Sequence, residues 1–175
     1  ISACTDSHVF TSLFEGIIRM VIFIGYLAIV SNMKDSKRVF QYHGAEHKTI
    51  ACYEAGEELT VENIKKHTRF HPRCGTSFLL FVMIVSILLF ALLPRVDMVI
   101  LRVLMRLALL PAVAGISFEI IKFAGRSKSK WVAWLSKPGL WLQKLTTREP
   151  DASQIEVAIE SMKPCIPENK EDDRW

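Results

Sequence analysis

The stretch Tyr42-His43-Gly44-Ala45-Glu46-His47-Lys48 sets two imidazoles four residues apart with a carboxylate between them. On a helix that spacing turns both rings to one face, where they can hold a single metal ion. The order is H-x-x-E-H, in which the Glu takes a proton from water polarised by the metal. Gly44 lowers the helix propensity of the very segment the motif needs. Further on, His71-Pro72-Arg73-Cys74-Gly75 adds an imidazole and a thiol in what Pro72 and Gly75 mark as a tight turn. Four N and S donors would close a tetrahedral zinc site, whereas three donors and a water would make a catalytic one. The expected ligands of a divalent metal, zinc first, are therefore His43, His47, His71 and Cys74. Glu46 is the expected general base, with Glu54 as a weaker second choice, and Arg73 or Lys48 would stabilise a developing oxyanion. A competing reading makes the same groups a hydrogen-bonded polar plug, or a headgroup contact through Lys48 and Arg73. His8 and His67 read as exposed histidines, and Cys4 and Cys52 as small buried or interfacial residues.

The elements that must position these groups read as an all-α integral membrane protein with about three spans. Half of the 175 residues are hydrophobic, and the charged residues are gathered into blocks. Apolar runs cover 13–31, 78–94 and 99–121, near the length that crosses about 30 Å of hydrocarbon. Together they form a single membrane domain, 1–175, with a helical loop over 32–77, an interfacial and amphipathic region over 122–163 and a loose tail over 164–175. Lys and Arg crowd the 32–77 loop and the stretch after Ile121 while the 94–98 turn has only Arg95, so the large loop and the C-terminus should be cytoplasmic. Glu15 and Arg19 fall at the same depth as Arg102 and Arg106, and the expected contact is between Glu15 and one of the latter arginines. Trp131 to Leu145 reads as a headgroup-level helix broken near Pro138-Gly139, and Asp151 with Gln154 as a capping box for the helix that follows. Thr60 is placed to cap a short helix reaching about His67. The net charge of +4 does not signal nucleic acid, because the basic residues flank apolar runs without interleaved aromatics. Four scattered cysteines without a C-x-x-C pair argue against a disulfide framework. A start at Ile1 suggests a preceding segment.

Four motifs occur in order: RVFQYHGAEHKTIACYEAG, HPRCGTSFLL, LLPAVAGISFEIIK and PGLWLQKLTTREPD. They resemble the YqhQ-like family of bacterial membrane proteins, domain of unknown function 1385, over most of residues 13–160. The resemblance implies a multi-pass protein of the bacterial plasma membrane and a predicted metal-dependent enzyme. The matching positions are His43, Glu46, His47, His71, Cys74 and Glu119, with Arg148 and Glu149 in a stretch that either joins two helices or reaches back to the loop. Family members carry a Gly-rich region ahead of these motifs, from which residues would complete the site. The H-x-x-E-H order also resembles that of inverzincin peptidases, whose third ligand lies far downstream, and Glu119 would suit that role. Two functions follow as expectations. One is a hydrolase-like enzyme at the cytoplasmic membrane face. The other is a non-catalytic adaptor that assists insertion, secretion or assembly of membrane proteins. Its partners would be the lipid bilayer and either other membrane proteins or further copies of itself.

Overall fold

In the computed structural model, residues 2–94, 96–126 and 129–168 are described. The last residues of the expected loose tail, Arg95 and Lys128 of the charge pattern, and the side chains of Cys4 and His8 lie outside that description. The elements are α1 (Ser2–Val30), α2 (Lys34–Glu54), α3 (Val61–Lys66), α4 (Gly75–Ala91), α5 (Val99–Arg126), α6 (Lys130–Thr146) and α7 (Ala152–Met162), then a 3₁₀ turn at Lys163–Cys165. No strand occurs among the described residues. The chain divides into two compact units, Ile1–Tyr26 with Arg73–Gly139 and Leu27–Pro72 with Leu140–Trp175.

The first unit holds the apolar helices. Val9–Val30 and Val99–Arg126 are long and apolar enough to cross a membrane, and only 6% of either window is buried. The core helix of a soluble protein would be mostly buried, so these exposed apolar faces support a membrane setting. The third expected span is α4, which has 17 residues and about 26 Å of length. Its buried face, Ser77, Leu80, Phe81, Val85 and Ala91, packs on the stripe Val113, Ser117, Ile121 and Ala124 of α5. These stripes follow the three- and four-residue steps of a helix surface. α1 approaches α4 where Gly16 leaves room for Ile87. The ion pair of this unit differs from the expected one. Glu15 binds Arg19, four residues on, at 3.1 Å, while Arg102 donates to the Val96 carbonyl and Arg106 lies over the Phe90 ring. A partner one turn away on the same helix is reached without bending two helices together. α6 runs unbroken through Pro138, which costs one backbone donor but does not end the helix.

The second unit has a small core of its own. Ala45 and Cys52 of α2, Ile64 of α3 and Ile155, Ala158 and Ile159 of α7 are buried together, with Leu59 and Val61 against them. Local signals set the ends of these helices. Gly56, at φ +74°, closes α2: its N–H donates to Tyr53 and that of Glu57 to Cys52, which satisfies two terminal carbonyls. Thr60 accepts from the Asn63 N–H at 3.3 Å and starts α3. Asp151 and Gln154 form the reciprocal capping box of α7. Hydrogen bonds from the Ser153 hydroxyl and the Gln154 N–H hold the Asp151 carboxyl below its ordinary 3.8. A depressed folded pKa means that this cap is intact above about pH 4 and is lost as the pH falls through the lower value.

Candidate metal centre

Helix α2 turns His43 and His47 to one side, as their spacing requires, with ring centroids 4.4 Å apart and planes crossed at 67°. Their ligand nitrogens lie within 4.8 Å of each other. Each ring is tied through Nδ1 to a main-chain carbonyl, His43 to Thr146 at 2.8 Å and His47 to Arg69 at 2.6 Å. A carbonyl only accepts, so in both rings Nδ1 carries the proton and, in the neutral form, Nε2 carries the lone pair. This is how ligating histidines are usually oriented.

His71 supplies a third ring, 5.8 Å from that of His47. Its backbone is clamped by one side chain: the His71 N–H donates to Gln143 Oε1 at 2.8 Å, and Gln143 Nε2 donates to the His71 carbonyl at 2.7 Å. Gln143 is fully buried. Truncating it would remove two hydrogen bonds and strand two buried backbone groups. Gln143→Ala is therefore expected to lower unfolding stability by about 2–3 kcal/mol, read by thermal or denaturant melting in detergent. The Glu54 carboxylate lies 3.5 Å from His71 Nε2.

The segment after α6 seals this unit from the other side. The Arg148 N–H donates to the Phe40 carbonyl of α2 at 2.8 Å. Its own carbonyl oxygen rests against Gly44 so closely that a Cβ there would overlap it. The glycine that weakens the helix in sequence terms is thus what lets the chain cross α2. Next to it, Glu149 bridges Lys48 at 2.9 Å and Arg69 at 3.3 Å, and Lys48 also donates to the Lys65 carbonyl at 3.1 Å. Both sequence readings of this stretch are observed: it joins α6 to α7, and Arg148 and Glu149 also reach back to the loop.

His43 and His47 are brought together within one unit, and the His71 ring lies beside that of His47. Glu46 is exposed on α2. Cys74 belongs to the other unit, where it is the N-cap residue of α4 with Sγ 3.1 Å from Thr76 Oγ1. Glu119 is also in that unit, exposed on α5 and 3.9 Å from Lys122. Sequence reading missed Gln143 and the carbonyls of Thr146 and Arg69. Carbonyls leave no mark in residue types, and a lone Gln in a Trp-rich helix carries no motif. A second grouping, Cys52, Glu57 and His67, has ligand atoms within 4.8 Å of one another. His67 is half-buried and not exposed, because Nε2 meets Glu57 at 3.2 Å. Burial, and then the Glu57 charge, push the Cys52 thiol above its ordinary pKa of 9.0, so it stays a buried thiol as expected.

Residues 1–168 match the family described as "Protein of unknown function (DUF1385)". The chain belongs to the DUF1385 family. A DUF1385 relative is the "Uncharacterized protein YqhQ" of Bacillus subtilis (strain 168), 47% identical over 148 residues, which cover 84% of this chain and 46% of that protein. The chain thus spans about half the length of this curated relative. No solved structure matches it. The three histidines and Gln143 all fall within the DUF1385 match.

Proposed function

We propose that this chain is part of a membrane-embedded, hydrolase-like enzyme that depends on a divalent metal, zinc by preference, held by His43, His47 and His71. The observation that carries this reading is the pair of Nδ1-to-carbonyl tethers on His43 and His47. They fix two adjacent rings in the ligating tautomer before any ion arrives, and three imidazoles suit zinc. Such an ion would supply an acidified water as nucleophile. Glu46, exposed on the same helix, accepts the proton. Lys48 and Arg69 share the single carboxylate of Glu149, which leaves positive charge near the histidines for a developing oxyanion. In this reading α1, α4 and α5 all span the membrane, α4 by local thinning of the bilayer, with the 32–77 loop and the C-terminus cytoplasmic.

One observation favours the adaptor reading. Trp131 and Trp134 are 84% and 65% exposed on α6, and their three-residue spacing puts them on one face, where they would dock on a headgroup layer or another membrane protein. The test separates the two readings. Zinc-loaded protein in vesicles is offered peptide, ester and phosphodiester substrates. Turnover that chelation stops and zinc restores, and that Glu46→Gln lowers at least about 100-fold with its zinc retained, is the expected result. Wild-type turnover in Glu46→Gln would remove the proposed base, and no turnover at any substrate would leave the adaptor in first place.

A further inference from the structure

Two of the apolar helices carry, toward one end, four charged side chains that the proposed chemistry does not use. Glu15 and Arg19 are on α1, and Arg102 and Arg106 on α5, all within the first unit. They line two adjoining cavities of about 210 and 190 Å³, which share Ser12, Glu15, Phe90 and Arg106. Glu15 is matched by Arg19 at 3.1 Å. Among the described residues, Arg102 meets only the dipole of the Val96 carbonyl, through Nε at 3.1 Å and Nη2 at 2.7 Å. Arg106 lies over the Phe90 ring, its guanidinium carbon 5.7 Å from the centroid. Among the described residues no carboxylate pairs with Arg102 or Arg106, so three guanidiniums face one carboxylate. Arginine on an apolar helix is costly unless a counter-charge meets it, and a basic pocket between such helices suits an anionic headgroup.

We propose that this cavity binds the phosphodiester headgroup of an anionic lipid. Arg102 and Arg106 present planar forks that match phosphate oxygens, and the Ser12 hydroxyl adds a donor. Met83, Ile87 and Phe90 wall the remaining side and suit the glycerol and first methylenes. The cavity has room for a headgroup but not for acyl chains, which are left to the exposed apolar sides of α1 and α5. Glu15 sets the preference: it neutralises Arg19 and repels a second negative charge, so a monoanionic diester fits better than a dianionic monoester. The site shares no residue with the histidine cluster and stands or falls apart from it.

The test is native mass spectrometry of detergent-purified full chain titrated with phosphatidylglycerol or phosphatidylcholine, with inorganic phosphate as competitor. Phosphatidylglycerol is expected to bind saturably and at least about tenfold more tightly than phosphatidylcholine. Arg102→Gln with Arg106→Gln should abolish that difference, Arg102→Lys with Arg106→Lys should keep part of it, and Lys122→Gln, a charge on α5 outside the cavity, should leave it unchanged. Displacement by inorganic phosphate would assign the site to the phosphate group alone, and failure to displace would assign it to the lipid. Equal binding of the two lipids by the wild-type protein would overturn the proposal even if the glutamine variant failed to fold.

Discussion

Gly44→Ala should be among the most damaging single-methyl additions in the second unit, lowering its stability by about 2–3 kcal/mol. Two effects oppose each other. Alanine favours a helix over glycine by about 1 kcal/mol, which would stabilise α2 in isolation. Against this, the new methyl would enter the space of the Arg148 carbonyl oxygen, which is backbone and has no rotamer to yield. Either α2 or the crossing segment must move, and the hydrogen bond from the Arg148 N–H to Phe40 goes with it. The clash should win. Because Glu149 is the next residue, the Lys48 and Arg69 ion pairs should loosen too. Thermal melting of purified protein checks the sign: a higher melting temperature in Gly44→Ala would mean that the crossing is looser than described.

His47→Ala should remove the metal altogether. Elemental mass spectrometry of the wild-type protein is expected to give about one zinc per chain, and His47→Ala below about a tenth of that. His47 is the sharper choice of the pair because it is buried, tethered at 2.6 Å, and neighbour to both other rings. Lys163→Ala serves as the control, since Lys163 pairs with Glu160 on the surface and should leave zinc unchanged. Stoichiometric zinc surviving in His47→Ala would move the ion elsewhere, and its absence from the wild-type protein would end the metal-dependent reading.

How much of this was legible in the sequence differs by level. Helix ends were readable because their signals are local: Thr60, Asp151 and Gln154 each cap within three residues of their own position. The apolar runs were readable from composition, although α4 starts and ends about three residues earlier than the run 78–94. The rings of His43 and His47 were predictable as neighbours because four residues on a helix fix them. What failed was long-range pairing. The Glu15 contact went to the same helix, since equal depth in two helices does not specify which partner is nearer. The presumed weakness at Gly44 was in fact a clearance, and that became visible only with the Arg148 backbone beside it. Pro138 suggested a break where the helix continues, because one missing donor is a small loss in a helix otherwise satisfied.

The tethers on the histidine pair have one more consequence. Both acceptors are main-chain oxygens, one at the end of α6 and one in the loop before His71. The aim of the imidazoles is therefore written in chain path, not in the chemistry of any side group at positions 69 and 146. A change of side chain at either position would leave the carbonyl acceptor itself in the backbone. Selection on the aim of this site would show itself where the path is held, at Gly44 and Gln143, neither of which touches a metal.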